Sequence, residues 1–186
     1  MAEILCTFGD RPEADKKEIL RYAGCREADA ETVKLLDRCL EKALPLIRPA
    51  LCSRLISVGE FKTGSKTLSK YLSGFNSFVV FAATVGSGID RLIKASSDLH
   101  PAESLMYQAI GTQQVEAVCD SFCESLCEKY RVVKPRISPG FGDMDLSMQK
   151  EIMQILSCSS KIGLTLTDSM IMFPSKSVTA FVGVKE

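Results

Sequence analysis

This sequence has no excess of positive or negative charge, only one histidine and no long apolar run. Among its 186 residues, 23 are basic and 23 are acidic, which leaves no net charge. A protein that binds nucleic acid needs a basic surface to neutralise phosphates, so this balance argues against a nucleic-acid partner. The longest apolar run, from Phe78 to Val85, is interrupted by Thr84 and is far too short to span a membrane. Because the first residues also lack the pattern of a signal peptide, we expect a soluble cytoplasmic protein.

The scarcity of histidine excludes several kinds of active site. A zinc site of the H-E-x-x-H type needs two histidines, and this chain has only His100. The G-x-S-x-G nucleophile elbow of many hydrolases is also missing. Proline is well tolerated at the first position of a helix, so we interpret His100, which precedes Pro101, as part of a helix cap. The sequence therefore predicts no catalytic residue and no metal site in this chain.

Cysteine, by contrast, is plentiful. Eight cysteines without a signal peptide indicate reduced thiols rather than a disulfide framework. Cys119, Cys123 and Cys127 recur every four residues on a predicted helix, a spacing that brings them near one face. Closed zinc sites use shorter gaps in loops, and a straight helix offers at most two such thiols to one ion. We expect these cysteines to be small buried hydrophobic residues.

Hydrophobic periodicity predicts an α+β domain. The pattern indicates helices over 15–24, 29–47, 65–72, 89–96, 101–130 and 147–156, strands over 51–61 and 75–85, and a hairpin over 164–184 that turns at 173–176. Asp15 and Asp29 are the expected N-caps of the first two helices, and Gly24 is the expected stop of the first. This order fits an α+β domain better than a parallel α/β domain. We expect one domain, in which an N-terminal helical region, 1–50, packs on an α+β unit, 51–186.

Gly86-Ser87-Gly88 is similar to a fragment of a dinucleotide-binding loop. The third glycine position of that loop is occupied by Arg91, and no second strand ending in an acidic residue follows at the expected place. The sequence therefore favours a strand-to-helix turn in which glycine relieves crowding.

The segment from Arg136 to Asp143, Arg-Ile-Ser-Pro-Gly-Phe-Gly-Asp, has the composition of a ligand-binding turn. Pro139 presets φ near −65° and Gly140 permits the positive φ that a type II turn requires. The Arg136 guanidinium suits a carboxylate or phosphate, and the ring of Phe141 suits a purine or a cation. The alternative is an ordinary Pro-Gly turn with a surface arginine and a buried phenylalanine.

Glu116 lies at the edge of the apolar stripe of the helix predicted over 101–130. A carboxylate that is partly buried there needs a cation or a hydrogen-bond donor. A bound ammonium group or Arg136 would meet that need. The alternative is a solvated carboxylate at the border of the stripe.

Three motifs that occur in order in the second half of the chain identify a family resemblance. They are the R-x-x-P-G-aromatic turn at Arg136, the S-x-Q-K helix start at Ser147 and the T-D-S-x-x-M-x-P segment at Thr167. With these motifs the chain resembles the activation (reactivation) domain of cobalamin-dependent methionine synthase, particularly its short stand-alone forms. The resemblance implies a bent antiparallel sheet flanked by helices.

The resemblance also implies a function. Such a domain binds S-adenosylmethionine and supports the reductive methylation of cob(II)alamin, which a corrinoid partner carries, with an electron from flavodoxin or another donor. This chain would then be an accessory component of cobalamin-dependent methionine synthase or of a related corrinoid methyltransferase. The alternative is a non-catalytic binding or interaction module that has kept the fold without methylation competence.

Residue by residue, the resemblance implies that Arg136 holds the carboxylate of S-adenosylmethionine. Ser138 belongs to the same turn, and Gly140 brings backbone groups near the adenosyl portion. Phe141 stands where the full-length enzymes have tyrosine, a difference that favours the non-catalytic alternative. Glu116 and Glu128 are the candidates for the acidic residues that face the ligand's amino group.

Overall fold

The protein is described here by a computed structural model that covers residues 2–25 and 27–186. In these ranges the chain forms the following elements in order: β1 (Leu5–Phe8), α1 (Lys16–Tyr22), α2 (Ala30–Ala43), β2 (Ala50–Ser57), α3 (Lys66–Leu72), β3 (Ser77–Thr84), α4 (Gly88–Ser96), α5 (Pro101–Lys129), β4 (Val132–Val133), α6 (Met148–Ile155), α7 (Cys158–Ile162), β5 (Thr165–Leu166), β6 (Met172–Phe173) and β7 (Ser177–Lys185). Short 3-10 turns follow α2 and β2.

One antiparallel sheet organises the fold. Its strand order is β1-β2-β3-β7-β4, and all neighbouring strands are antiparallel. β3 is central and pairs with both neighbours along its whole length, from Ser77 to Thr84. β5 and β6 form a separate small hairpin. This mixture of an open antiparallel sheet with flanking helices confirms the predicted α+β fold.

Successive side chains of β3 point to opposite faces of the sheet, and nearly all of them are buried. Helices therefore cover both faces of the sheet. Val79 and Phe81 face α5, where the ring of Phe81 packs against that of Phe122 with 4.9 Å between centroids. Phe78 faces the other side, where α3, α6 and α7 bury a second cluster. A third cluster, around Leu36, joins α1, α2 and α4 to α5. α5 therefore packs against the sheet on one side and against the N-terminal helices on the other.

Helix boundaries follow the local signals in the sequence. The carboxylate of Asp15 accepts hydrogen bonds from the backbone N–H groups of Lys17 and Glu18, and that of Asp29 accepts one from Thr32. Gly24 follows α1 with φ of +75°, as a helix stop requires. These N-caps and the stop are therefore confirmed.

The longest element is α5, which spans 29 residues and has Pro101 at its first position, as predicted. Glu116 and Asp120 lie near its middle. Over the described ranges, neither α5 nor any other helix combines the length and the apolarity that crossing a membrane requires.

The predicted C-terminal hairpin is wrong in its turn and its partners. β5 pairs with β6 through Thr165 with Phe173 and Leu166 with Met172, so this hairpin turns at 167–171. The Thr167 hydroxyl accepts the Ile171 N–H at 3.0 Å and thereby closes that turn. β7, a buried strand of nine residues, pairs with β3 and β4 instead. A strand buried on both faces is more stable inside the main sheet than in an isolated hairpin.

Three short elements were not predicted, namely β1, β4 and α7. All four residues of β1 are exposed, and β4 has only two residues. Such elements are too short or too exposed to carry a hydrophobic period. β1 and β4 form because β2 and β7 offer backbone partners, and α7 is a helix of only five residues. The division of the chain near residue 50 stays a prediction.

The Gly86-Ser87-Gly88 turn is a site of close packing between β3 and α4. Gly86 has φ of +80°, a value that side chains disfavour. A Cβ atom on Gly88 would lie 2.4 Å from the carbonyl oxygen of Leu46 and 2.8 Å from its Cβ. The positive φ accounts for Gly86 and backbone crowding accounts for Gly88, in agreement with the strand-to-helix turn that the sequence favoured.

Replacing Gly88 with alanine should therefore destabilise the protein. Because the new methyl group would meet backbone that cannot move freely, we expect a loss of about 1–3 kcal/mol in the free energy of unfolding. Denaturant unfolding of Gly88→Ala against the parent protein measures this loss. The matched control is Gly64→Ala, since nothing lies within 4 Å of a Cβ at that position. Equal stability of the two variants would contradict the assignment.

Candidate functional site

The segment after β4 forms the turn that the sequence predicts. The N–H of Phe141 donates to the carbonyl oxygen of Ser138 at 3.2 Å, and Gly140 has φ of +94°. These are the closing hydrogen bond and the positive φ of a type II turn with Pro139 at its second position. The N–H of Gly140 also donates to the Met144 carbonyl oxygen at 2.7 Å, which closes the loop that follows.

The side chain of Arg136 is held by two carboxylates of α5. Its Nη2 lies 2.5 Å from Oε2 of Glu116, and its Nη1 donates to Oδ1 of Asp120. The Arg136 side chain is 22% exposed. Burial alone would lower the pKa of Arg136, but the hydrogen bonds to Asp120 and Glu116 outweigh burial and raise it. The guanidinium is therefore permanently charged within this three-residue group, which we call the arginine cluster.

Sequence reasoning identified one of the two carboxylates. The structure shows that the cation beside Glu116 is Arg136. The sequence analysis did not identify Asp120, because a single aspartate on a helix has the pattern of a solvated residue. Its side chain is in fact 62% exposed. The available signal was spacing, since residues four apart on a helix share one face. A carboxylate one turn beyond Glu116 was therefore placed to reach the same cation.

An open cleft lies beside the arginine cluster at the β4 edge of the sheet. It has a volume of about 640 Å³ and is lined by Tyr71 and by the continuous segment 134–141. The ring of Phe141 is 65% exposed. Arg136, Ser138, Gly140 and Phe141, four of the predicted binding residues, therefore line one cleft.

Tyr71 fixes one wall of this cleft. Its hydroxyl donates to the carbonyl oxygen of Pro135 at 2.8 Å and accepts the N–H of Gly183 at 3.0 Å. Lys134 lies over the Tyr71 and Phe75 rings, 4.9 and 4.8 Å from their centroids, and its ammonium donates to the Tyr71 carbonyl oxygen. Burial raises the pKa of Tyr71, so its hydroxyl keeps the proton that it donates. These contacts give the start of the segment a defined position.

Glu128 lies apart from this group. It is exposed in the last turns of α5, two helical turns beyond Asp120. Within the part of the chain that the structure describes, Glu128 makes no ion pair and does not line the cleft. Its contact with a ligand stays a prediction, as do the binding roles of Glu116 and of the cleft residues.

The three cysteines of α5 differ in their surroundings. Cys119 is fully buried, Cys123 is half-buried and Cys127 is exposed, so the prediction of burial is confirmed for Cys119 and wrong for Cys127, which lies beyond the apolar stripe of α5. Burial raises the pKa of the Cys119 thiol to about 12. For Cys123, burial raises the pKa and the charge of Arg136 opposes that effect. In residues 2–25 and 27–186, no group of three or more histidine, cysteine or acidic residues is arranged to hold a metal ion.

The fold and the cleft together define the class of protein. It is an α+β domain whose open antiparallel sheet presents a groove along one edge, where a turn of the chain projects an aromatic ring beside a paired arginine.

Comparison with known proteins finds one matching family and a similar solved structure. Residues 121–186 match the family of the activation domain of vitamin B12 dependent methionine synthase. A crystal structure of the MetH reactivation domain bound to AdoHcy is similar over 98% of this chain and 78% of that chain, with a TM-score of 0.71 and 15% sequence identity. No curated protein matches the chain. The C-terminal part therefore carries the sequence pattern of the activation domain and the whole chain has its fold, which confirms the resemblance.

Thiol reactivity should follow the burial of the cysteines. A thiol with a pKa near 12 has almost no thiolate at pH 8, and the thiolate is the reactive form. We therefore expect iodoacetamide to modify the exposed Cys6 and Cys127 in the native protein and to modify Cys119 only after unfolding. Mass spectrometry of proteolytic peptides measures the order. Rapid native modification of Cys119, or about one zinc or iron per chain that is lost in Cys123→Ser, would contradict a packing role.

Proposed function

We propose that this chain binds S-adenosylmethionine in the cleft beside the arginine cluster and supports the reductive methylation of cob(II)alamin on a corrinoid partner protein. The observation that carries the proposal is the placement of Arg136 between Glu116 and Asp120 at the edge of a cleft that also contains the Phe141 turn. The family match and the AdoHcy-bound relative support the same proposal.

The charges of the arginine cluster complement those of S-adenosylmethionine. This ligand carries one carboxylate, one ammonium and one sulfonium, and its net charge is positive. The cluster has two carboxylates and one guanidinium, so its net charge is negative. Glu116 and Asp120 engage two of the five N–H groups of Arg136, which leaves donors for a ligand carboxylate. Neither carboxylate lines the cleft itself, so we propose that both attract the ligand's ammonium group from beside Arg136.

The shape of the cleft suits the remaining part of the ligand. A volume of about 640 Å³ lies within the range of small-molecule sites, about 300–1,000 Å³. The exposed Phe141 ring is positioned to cover an adenine or a sulfonium, since aromatic faces attract both. Gly140 carries no side chain beside that ring, so a ligand can approach the backbone closely.

The openness of the cleft supports a role that depends on a partner. A methyl group can pass to cobalamin only if the corrinoid approaches the ligand, and an exposed cleft permits that approach. Lys176, which follows the exposed Phe173, reaches α5 and donates to the Thr112 hydroxyl at 3.1 Å. Thr112 lies one helical turn before Glu116. We therefore propose that the 173–177 segment and the Phe141 turn both face the corrinoid protein.

The proposed reaction requires two further components. An electron from flavodoxin or a similar donor and the methyl group of S-adenosylmethionine together convert cob(II)alamin to methylcobalamin and leave S-adenosylhomocysteine. This chain would supply the bound methyl donor, and the partner would supply the corrinoid. Phe141 lacks the tyrosine hydroxyl of the full-length enzymes, and this difference is the observation that favours the non-catalytic binding module as a second candidate.

Removing the Arg136 guanidinium should weaken ligand binding. A charge-assisted bidentate hydrogen bond contributes about 1.5–3 kcal/mol, so we expect Arg136→Ala to lower the affinity for S-adenosylmethionine at least tenfold in calorimetry. The melting temperature of the unliganded protein should change little, because the side chains of Glu116 and Asp120 are 36% and 62% exposed and water can solvate both carboxylates without Arg136. Arg131→Ala is the matched control, since Arg131 is an exposed arginine outside the cleft. Equal affinity of Arg136→Ala and the parent would reject the site.

A reconstituted assay separates the two candidate functions. With a reductant, S-adenosylmethionine and a corrinoid protein from the same organism, addition of this chain should accelerate the formation of methylcobalamin, which absorption spectra follow. We expect Phe141→Tyr to keep or raise the rate, because the aromatic face remains and a hydroxyl is added. Tight ligand binding without any acceleration would favour the non-catalytic module.

A further inference from the structure

We propose that Asp143 is a positioning residue, which holds the Ser138–Gly142 turn in its binding arrangement by anchoring it to the start of α3. Asp143 does not line the cleft, and it acts on the turn through the backbone. The part of this inference that concerns the ligand rests on the proposed function. The part that concerns the turn can be tested without any ligand.

The contacts of Asp143 form a dense group of hydrogen bonds. Its Oδ1 accepts from the Ser65 hydroxyl at 2.5 Å and from the Thr67 N–H at 2.9 Å, and its Oδ2 accepts from the Lys66 N–H at 2.9 Å. The Asp143 N–H donates in turn to the Thr67 hydroxyl at 3.3 Å. These bonds join parts of the chain that are 76 to 78 residues apart in sequence.

The anchor lies close enough to fix the turn. Gly142, the preceding residue, has φ of +62°, and a Cβ there would lie 2.5 Å from the Thr67 hydroxyl oxygen. The turn therefore rests directly on the start of α3. Met144, the following residue, accepts the Gly140 N–H through its carbonyl oxygen at 2.7 Å. A displacement of Asp143 would therefore move Gly140 as well.

Few other contacts hold the exposed tip of the turn, although Pro139 within the turn and Met144 after it are buried. The Phe141 ring is 65% exposed, so its own packing does little to hold the backbone. The pKa of Asp143 lies well below its usual range because of the hydrogen bonds from Ser65, Thr67 and Lys66. A carboxyl with a lowered pKa stabilises the fold at all pH values above its ordinary titration range, and that contribution is lost as the pH falls below it. The anchor therefore keeps its charge at neutral pH.

Asp145 offers a matched control two residues away. It is also an exposed aspartate in the same loop, and it accepts a hydrogen bond from the Ser147 N–H at 2.8 Å. That contact is local and makes no connection to α3. A comparison of variants at the two aspartates therefore distinguishes two effects: the loss of the connection between the turn and α3, and the loss of a carboxylate that caps backbone N–H groups.

The first experiment measures the order of the turn without ligand. The chain contains no tryptophan, so Phe141→Trp introduces a single fluorescent reporter at the tip of the turn. In this background we expect Asp143→Ala to add a fast, nanosecond decay to the time-resolved anisotropy, and we expect Asp145→Ala to leave the decay unchanged. Identical decays for Asp143→Ala and its parent would overturn the proposal.

The second experiment measures S-adenosylmethionine affinity by calorimetry in proteins that retain Phe141. We expect Asp143→Ala to weaken binding about tenfold and Asp145→Ala to change it less than twofold. Asp143→Asn keeps one oxygen acceptor but turns an amide donor toward the Lys66 N–H, so an intermediate loss is expected, and this variant replaces Asp143→Ala if the latter fails to fold. Full affinity in the Asp143 variants would overturn the proposal. If the parent does not bind, the proposed function fails, and the anisotropy still decides whether Asp143 holds the turn.

Discussion

The attachment of Arg136 to two carboxylates of α5 is the interaction on which the candidate site depends. The segment that carries Arg136 follows an edge strand of only two residues, and it meets β7 through backbone hydrogen bonds of Lys134 and Ile137. Side chains must therefore fix much of its course. Because the guanidinium is charged at any relevant pH, loss of either carboxylate would leave a partly buried charge less well compensated. The charge pattern beside the cleft is thus set by side chains of the protein itself.

Two side chains of opposite charge, Arg136 and Asp143, attach the segment between them to neighbouring helices. Arg136, before the turn, is bound by carboxylates of α5 on one face of the sheet, and Asp143, after the turn, is bound by donors at the start of α3 on the other face. The segment therefore bridges the two helical layers at the edge of the sheet. Its tip, with Phe141, is left exposed between the two attachments. This arrangement combines a defined backbone with an accessible aromatic ring.

Much of the fold could be predicted from the sequence, because the long elements carry strong periodic signals. The N-caps at Asp15 and Asp29, the course of α5 and the Pro139-Gly140 turn all follow from local chemistry. The partners of β7 could not be predicted, since pairing is decided by which strands lie side by side in three dimensions. Asp120 and the long-range bonds of Asp143 were missed for a related reason. A surface aspartate has no distinctive local pattern, and only the folded chain shows which donors surround it.

The strand order has a consequence for the assembly of the protein during synthesis. β7 lies between β3 and β4 in the sheet, although it follows both in sequence. Until β7 emerges from the ribosome, β3 has one open edge and the Arg136 segment has no strand to pair with. Such non-local pairing slows folding, and unpaired edges invite association with other chains. The cleft is therefore completed only after β7 has been synthesised, and a nascent chain that ends before β7 would expose the edge of β3, a strand that contains two Val and two Phe residues.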